Sequence, residues 1–412
     1  CALAGLGALL SGWDTGIVGG ALPQVRAAFS LAPLPEGMVV GLALLGAAIG
    51  SVVSGRLAAR YGPKRTILAA ASAYIAAALA NALAPTFILF LSARFVVGLA
   101  FGTTAMLVPI YLAEVSPNDR RGALVSIAAV YIALAILLAY LVAMTMTSSG
   151  LSWRWMLATG AIPAFFAVIG LIALPDSPQW LAAQGRTDEA VRALAFYQGG
   201  PDRDAIHDAP KARSVNHAAA AIPLFGPATR YTLLIGMALT FFQQASGINA
   251  VLYFAPKIFM GGNASSTGAL AVAALIGAVN LALTLVALWL VDRAGRRSLL
   301  LWGTVAMDIV LVAVAAAVHF DFPLSLTASL LCLFVAAYAL GLGAVTWTLL
   351  SEIFPAAVRE RAMGAAAGTL WATNLVIAST FPSIVAHLGM SGTFMLFAAF
   401  SLVGLLFIWR AI

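Results

Sequence analysis

The sequence contains very few charged residues. Of its 412 residues, 9% are charged and 62% are hydrophobic, and the mean hydropathy is +1.01. Soluble globular domains have about 25% charged residues and about 45–50% apolar ones. The composition therefore excludes a soluble enzyme and indicates a membrane protein with many spanning helices.

Cysteine and histidine are too scarce to build a metal centre or a nucleophilic site. The two cysteines, Cys1 and Cys332, lack the spacing of metal ligands, and Cys332 stands within an apolar run. The four histidines are scattered and form neither an HExxH motif nor a Ser-His-Asp set. We therefore expect neither enzymatic activity nor a metal or other cofactor.

Apolar runs separated by clusters of glycine, proline and charge predict twelve membrane-spanning helices. The only long hydrophilic segment, 176–229, follows the sixth helix and separates an N-terminal bundle (1–175) from a C-terminal bundle (230–412). Within it, residues 187–194 have the pattern of a short amphipathic helix. The expected fold class is all-α integral membrane, with helices near 1–22, 37–59, 66–84, 87–112, 122–147, 154–174, 231–259, 268–290, 298–319, 324–353, 362–386 and 391–410.

Lysine and arginine are concentrated in the loops on one face of this topology. The other face has only Arg26, Arg154 and Lys257. Basic loops are retained on the cytoplasmic side, so the first face is cytoplasmic and an even number of spans puts both termini there. The net charge of +7 therefore reflects topology and not a nucleic-acid surface. We expect a monomeric multi-pass protein of the cell (inner) membrane, embedded in the lipid bilayer.

Two charged motifs occur twice, about 235 residues apart, after equivalent helices. Glu114 and Glu352 each begin the pattern E-x-x-P-x-x-x-R, and Gly62 and Gly295 each follow an arginine by two positions and adjoin further basic residues. This repetition predicts two pseudo-symmetric six-helix halves related by an axis along the membrane normal, which is an arrangement of transporters.

The charged residues of these motifs stand where a cytoplasmic gate would close. We predict that pairs between acids and bases of the two halves stabilise the outward-facing state and separate in the other. The alternative is that they are ordinary charges that fix topology. The gate set is Arg60, Glu114, Arg121, Asp292, Arg296, Glu352 and Arg359.

Two charged residues stand inside predicted spans. Asp14 lies in the first helix, where an ionised carboxylate costs about 2.5–3.5 kcal/mol on insertion scales, and Arg94 is the only basic residue within the fourth helix. A buried ion pair between them is the obvious way to accommodate both.

The chain resembles the sugar porter family of the major facilitator superfamily through nearly all of its length. In this order the set of matching segments is specific, although each one alone is modest evidence. The segments are GWDTGI (12–17), RFVVG (94–98), VPIYLAE (108–114), WRW (153–155), PDSPQWL (175–181), QQASGINAVLY (243–253), DRAGRR (292–297) and WTLLSEIFP (347–355).

The resemblance implies proton-coupled symport of a monosaccharide or similar polyhydroxy solute by alternating access. Proton-coupled members have an Asp at the position of Asp14 facing the Arg, whereas passive facilitators tend to have a neutral residue. Burial favours the protonated carboxyl and the Arg94 guanidinium favours the carboxylate, so a change in their separation can load or release a proton. The alternatives are a uniporter in which Asp14 is structural, and a non-transporting nutrient sensor.

Amides in the seventh helix are the candidate sugar ligands. Gln243, Gln244 and Asn249 flank Gly247, and each amide offers both a donor and an acceptor to a sugar hydroxyl. The alternative role is hydrogen bonding between helices. Further candidates are the aromatic walls Tyr253, Trp347 and Trp371 and the amide of Asn374.

Three positions depart from the family pattern. Ala129 stands where sugar-binding relatives have Gln, Leu370 replaces an amide before Trp371, and Ser11 replaces an aromatic residue. The N-terminal part of the pocket is therefore expected to be more apolar, which leaves room for a deoxy sugar, a polyol or a less polar solute. Asp308, in the ninth helix, is expected to make a helix-helix contact; a second protonatable site and a lipid-facing position stay open.

Overall fold

The protein is described by a computed structural model over residues 2–116, 121–198, 226, 229–260, 265–355 and 358–412. Most of these residues are helical, and no strand occurs among them. The predicted all-α class is confirmed.

Twelve helical spans follow one another along the described chain in the predicted order. The final run counts as two spans because Gly389 within it has φ 70° and ψ 172°, which is not a helical conformation. We number the spans α1 (Ala2–Gly5, Leu6–Ala8 and Leu9–Phe29), α2 (Pro33–Tyr61), α3 (Pro63–Leu83), α4 (Phe87–Val115), α5 (Arg121–Ser148), α6 (Trp153–Ala158 and Ala161–Ile172), α7 (Arg230–Ala245 and Ile248–Met260), α8 (Ser266–Ala294), α9 (Arg296–His319), α10 (Leu324–Tyr338, Ala339–Gly343 and Ala344–Ile353), and α11 and α12 (together Arg359–Ala411).

Nine helices of the described chain are long and apolar enough to cross a membrane on their own, with the final run counted once. The spans α1 and α7 are not among them. The first contains Asp14 and Arg26, and the second is interrupted at Gly247 into two shorter segments. Both spans that hydropathy alone passes over contain predicted site residues: Asp14 in α1 and the amides in α7.

Single glycines connect α2 to α3 and α8 to α9. Gly62 has φ 92° and ψ 150°, and Gly295 has φ 79° and ψ 140°. A positive φ is readily adopted only by glycine. The basic motif that repeats in the sequence thus forms the same tight turn twice, which supports the relation between the first six and the last six helices.

The turns at Gly62 and Gly295 lie at the same end of the bundle, which we call the basic end. The segment after α6 packs there: the Lys64 ammonium donates to the Leu174 carbonyl, and the Arg65 guanidinium lies 3.9 Å from the Asp176 carboxylate. The other end, with Arg26, Arg154 and Lys257, is called the opposite end.

Two short helices, Pro178–Ala183 and Thr187–Gln198, follow α6. The second confirms the predicted amphipathic helix and extends it to Gln198. Its apolar side packs against Trp180, whose indole nitrogen donates to the Ala59 carbonyl at the end of α2 at 3.3 Å. This part of the hydrophilic segment is therefore attached to the basic end.

The backbones of α7 and α10 are irregular at membrane depth. In α7 the chain turns at Gly247, with φ 81°, and in α10 residues Ala339–Gly343 form a π-helical turn. A Cβ on Gly303 of α9 would lie 2.6 Å from the Cα of Gly341, so the backbones touch at that turn. Irregular backbone at membrane depth is tolerated where protein buries it or where it lines a cavity.

The two segments of α7 have different neighbours. Ile248–Met260 packs against α1, where a Cβ on Gly19 would lie 2.7 Å from the Tyr253 carbonyl oxygen. Arg230–Ala245 packs chiefly against the run of α11 and α12, with Phe242 against Phe407 of α12. Like Ala344–Ile353 of α10, it has no extensive contact with the first six helices in the described chain. The two sets of six helices therefore meet closely toward the opposite end and leave the space between them open toward the basic end.

Candidate functional site

Asp14 in α1 and Arg94 in α4 form the predicted buried ion pair. The Arg94 nitrogens Nη1 and Nη2 donate to Asp14 Oδ1 and Oδ2 at 2.5 and 2.9 Å, and Nε donates to the Val39 carbonyl of α2 at 3.0 Å. Both side chains are buried, with 7% of the Asp14 side chain and 1% of the Arg94 side chain exposed. Each carboxylate oxygen and each guanidinium nitrogen thus has a hydrogen-bond partner, and the pair joins α1, α2 and α4.

Glycines in α1 bring Asp14 to this depth. A Cβ on Gly16 would lie 2.7 Å from the Ile136 carbonyl oxygen of α5, so the two helices are in backbone contact there. Because α5 occupies that side of α1, the Asp14 side chain is held on the side of α4. The closed packing excludes water from around the pair, which strengthens its electrostatic interaction.

The α7 amides converge across the helix break, as predicted. Asn249 Nδ2 donates to Gln244 Oε1 at 2.7 Å, and Gln243 Nε2 donates to the Leu342 carbonyl in the π-helical turn of α10 at 2.8 Å. Gln243 and Gln244 are buried, and Gln243 Oε1 has no hydrogen-bond partner. The Gln243 side chain therefore attaches the break in α7 to α10, and its Oε1 remains available as a buried acceptor.

Tyr253 stands between the ion pair and a further amide. Its hydroxyl lies close to Thr15 of α1 and Asn374 of α11, and within electrostatic range of Asp14 and Arg94. Asn374 is 1% exposed, and neither its Oδ1 nor its Nδ2 has a partner in hydrogen-bonding geometry. Tyr253 thus links the charged pair in the first six helices to the polar groups of the last six.

Unpartnered buried polar atoms are costly and uncommon, because most buried donors and acceptors are hydrogen-bonded. Three of them belong to Gln243 and Asn374. Together they offer two acceptors and one donor group to a bound molecule. A hydroxyl, which both donates and accepts, satisfies either kind.

The predicted aromatic walls have different environments. Trp371 packs against Phe101 of α4, with ring centroids 6.1 Å apart, and so bridges the two sets of six helices. Trp347 lies in the α10 segment next to the open basic end and is 36% exposed. The structure brings Trp371 to the central interface but records no contact between Trp347 and the amides.

The position of Ala129 fits an apolar wall opposite the amides. In α5 it lies on the same helical face as Ala133, Ile136 and Tyr140, and the Tyr140 hydroxyl donates to the Leu252 carbonyl of α7. That face is directed at the last six helices, and of these four residues only Ala129 is exposed. No hydrogen-bonding group is therefore provided at this point.

The structure describes the side chains of four of the seven predicted gate residues, and two of these, Arg296 and Glu352, form an ion pair. Arg296 lies 3.3 Å from Glu352, and this pair joins α9 to α10 within the last six helices, not across the two halves as predicted. Arg60 is exposed, with its guanidinium 5.2 Å from the Tyr61 ring centroid, and Glu114 is half-buried. The separation of the halves near the basic end explains why the Arg296–Glu352 pair is local. The side chains of Arg121, Asp292 and Arg359 lie outside the part that the structure describes.

An ionic cluster at the opposite end escaped the sequence reasoning. The Glu36 carboxylate, at the start of α2, receives the Lys257 ammonium of α7 at 2.7 Å on both oxygens and lies 3.6 Å from Arg26 Nε. The sequence could have indicated it, because Arg26 and Lys257, two of the three basic residues of this face, stand near the ends of α1 and α7, and Glu36 is an acid at the same end.

Asp308 makes the expected helix-helix contact. It lies in α9 beside Ser401 of α12, and both its oxygens are buried without a partner in hydrogen-bonding geometry. It has no recorded contact with the site residues described above.

Known proteins resemble this chain over its whole length. A sequence model of the family described as Sugar (and other) transporter matches residues 1–412. The putative metabolite transport protein YwtG of Bacillus subtilis is 36% identical over 412 residues, which cover 98% of this chain and 89% of the relative. The arabinose-proton symporter of the same organism is 31% identical over 414 residues, with the same coverage of both chains.

The fold is similar to that of the xylose transporter XylE from Escherichia coli. Its partially occluded inward open conformation gives a TM-score of 0.89 at 28% identity, over 99% of this chain and 96% of that chain. The form of XylE bound to 6-bromo-6-deoxy-D-glucose gives 0.82 at 29% identity, over 99% and 94%. The backbone is thus more similar to the inward open form, which agrees with the open space near the basic end.

Proposed function

The chain belongs to the sugar (and other) transporter family, and from this premise we propose that it is a secondary transporter that carries a sugar or a related polyhydroxy solute together with a proton. The arabinose-proton symporter and the xylose transporter, both similar over nearly the whole chain, support this predicted function. The observation that carries it is the position of Tyr253 between the Asp14–Arg94 pair and the unpartnered Asn374.

In the proposed topology the basic end is cytoplasmic, together with both ends of this chain, and the protein acts as a monomer in the inner membrane. The excess of lysine and arginine at that end supports the orientation. Residues 1–175 and 230–412 are the two bundles that rock against each other, and 176–229 connects them. With the space between them open at the basic end, the conformation is inward-facing.

Asp14 is the proposed proton carrier. In the inward-facing arrangement its carboxylate accepts two charge-assisted hydrogen bonds from Arg94. A movement that weakens these bonds leaves a buried carboxylate without compensation and favours proton uptake. Asp14 therefore binds a proton when α1 moves away from α4, and releases it when the two helices return and Arg94 takes the place of the proton.

The amides of α7 and α11 are the proposed solute ligands, with Gln243 and Asn374 providing the unpartnered atoms and Gln244 and Asn249 lining the break. Tyr253, Trp347 and Trp371 provide apolar walls for the C–H faces of a sugar. Because Ala129 provides no hydrogen bond from the first six helices, we propose that the solute has hydroxyls along one edge and an apolar opposite edge, as in a deoxy sugar.

At the basic end, the proposed gate consists of the repeated charged motifs. Arg60, Glu114, Arg121, Asp292, Arg296, Glu352 and Arg359 would exchange partners when the bundles approach. The local Arg296–Glu352 pair supports this assignment, because it holds a gate arginine and a gate acid within reach of each other.

Uptake into proteoliposomes tests the function directly. Labelled xylose, arabinose, galactose, glucose, a 6-deoxy hexose and a polyol are supplied with and without an inside-alkaline pH gradient. We expect accumulation above equilibrium for at least one of them, dependent on the gradient and abolished by a protonophore.

The variant Asp14→Asn separates coupling from permeation. It is expected to lose gradient-driven accumulation while solute exchange without a gradient continues, because a neutral amide cannot carry the proton. The matched control is Asp188→Asn, which alters an exposed acid in the short helix Thr187–Gln198 and leaves accumulation unchanged.

Two results would replace the proposal with its alternatives. Uptake that ignores the gradient, and that Asp14→Asn leaves unaltered, identifies a uniporter in which Asp14 is structural. Binding of a sugar without any transport of it identifies a nutrient sensor.

A further inference from the structure

The Glu36 cluster is the most deeply buried ionic contact between the first and the last six helices in the described chain. Glu36 is 1% exposed, and both its oxygens receive the Lys257 ammonium at 2.7 Å. Arg26, which is half exposed, adds a second positive charge 3.6 Å away. The carboxylate therefore depends on a lysine from α7 for its compensation.

The cluster lies on the surface where the two sets of helices meet. The next residue, Gly37, contacts the backbone of Ser379 in α11 so closely that a Cβ would overlap the Ser379 carbonyl. On the other side, Gly19 of α1 meets the Tyr253 carbonyl of α7. Small residues thus bring the backbones together, and the buried Glu36 carboxylate between them is paired across the same surface.

Such a pair depends on conformation. A buried carboxylate that loses its partner without reaching water is strongly disfavoured. When the opposite end opens, Lys257 moves away with α7 and both charges gain solvent. The contact is therefore made in only one of the two states, and any free energy that it contributes shifts their populations.

We propose that Glu36 and Lys257 are positioning residues that hold the opposite end closed and so set the balance between the inward-facing and outward-facing states. Arg26 supports Glu36 from within the first six helices. This inference rests on the alternating access of the proposed function.

The test measures the state of the opposite end without substrate or proton. A single reporter cysteine, Ser379→Cys, is introduced after Cys1 and Cys332 have been replaced, and labelling by a membrane-impermeant maleimide is followed in intact cells. Lys257→Met and Glu36→Gln are each expected to raise the labelling rate about three- to tenfold, because one charge-assisted contact of the closed state is lost.

The matched control is Arg154→Met. Arg154 is also a basic residue of the opposite end, but it donates to the Ala82 and Ala84 carbonyls at 2.7 and 2.9 Å, entirely within the first six helices. The Arg154→Met variant should be labelled at the parent rate. The conservative Lys257→Arg should keep the parent rate, whereas the double variant Glu36→Gln with Lys257→Met, which lacks the contact, should label about as fast as the single variants.

Unchanged labelling in Lys257→Met and Glu36→Gln overturns the proposal, and so does an equal increase in Arg154→Met. If a single variant is not inserted in the membrane, the double variant Glu36→Gln with Lys257→Met decides, because it leaves neither of the two charges unpaired; labelling of this variant at the parent rate overturns the proposal. Labelling needs no transported solute, so a failure of the proposed sugar symport is recognised separately, in the uptake assay.

Discussion

The two buried polar clusters of this protein differ in how far their hydrogen bonds are satisfied. Around Asp14 and Arg94, every carboxylate oxygen and guanidinium nitrogen has a partner. Around Gln243 and Asn374, three buried polar atoms have none. The polar atoms of the first cluster are all hydrogen-bonded within the protein, whereas three atoms of Gln243 and Asn374 are left without a partner.

Under the proposed function, this difference separates two tasks that both need polar side chains in a membrane. The bonds of a proton site are made and broken by groups that the protein itself provides. A solute site keeps donors and acceptors unpaired until the solute arrives, at a cost in free energy of folding. Tyr253 lies close to Asp14 and Arg94 and also to Asn374.

The largest expected effect is on folding. Arg94→Met leaves the Asp14 carboxylate buried and unpaired, which costs about 3–5 kcal/mol. The melting temperature of the purified protein at neutral pH should fall sharply, and adding Asp14→Asn should recover much of the loss. Asn374→Leu, which removes unpartnered atoms, should not lower the melting temperature. An equal fall in the melting temperature of Arg94→Met and Asn374→Leu would contradict the difference between the two clusters.

The intermediate effect is on affinity. Asn374→Leu removes up to two hydrogen bonds to the solute, each worth about 0.5–1.5 kcal/mol, and should weaken the apparent affinity roughly tenfold in a competition assay. Asn81→Leu is the matched control, because Asn81 is equally buried and also has an unpartnered Oδ1, but lies in α3. Affinity that stays unchanged in Asn374→Leu, or that falls equally in Asn81→Leu, contradicts a solute site at Asn374.

The smallest expected effect is on the relative affinity for two sugars, and it tests the apolar wall at Ala129. Ala129→Gln adds an amide from α5, and one new hydrogen bond of about 0.5–1.5 kcal/mol should tighten binding of a fully hydroxylated hexose roughly two- to tenfold relative to its 6-deoxy analogue. Ala129→Leu has similar bulk without the amide and serves as the control. Inhibition constants for the two sugars provide the measurement, and an identical ratio in both variants would show that α5 does not reach the solute.

Much of this architecture follows from local sequence. Hydropathy, together with the glycines and charged residues that interrupt it, located the helices. Each span has to be helical because its backbone N–H and C=O groups find no hydrogen-bond partners in lipid. The pair of Asp14 and Arg94 was predictable because isolated charges in apolar helices need each other. The repeat predicted equivalent turns, and Gly62 and Gly295 have nearly the same backbone angles.

What escaped prediction depends on how distant segments meet. The Gln243 bond to the Leu342 carbonyl needs the π-helical turn of α10, which has no local sequence signature. The Glu36–Lys257 contact exists because the opposite end is closed, and one sequence encodes both states. The same reasoning explains Arg296 and Glu352: the predicted gate pairs assume approaching halves, whereas at this end the halves are apart.

The one-residue turns at Gly62 and Gly295 also bear on how the polypeptide enters the bilayer during synthesis. Tyr61 ends α2 and Pro63 begins α3, so the connection between the two helices is a single residue. Because basic residues follow closely after Gly62 and Gly295, we expect each turn to be held at one surface of the bilayer, so that α2 and α3, and likewise α8 and α9, are placed in the membrane as pairs.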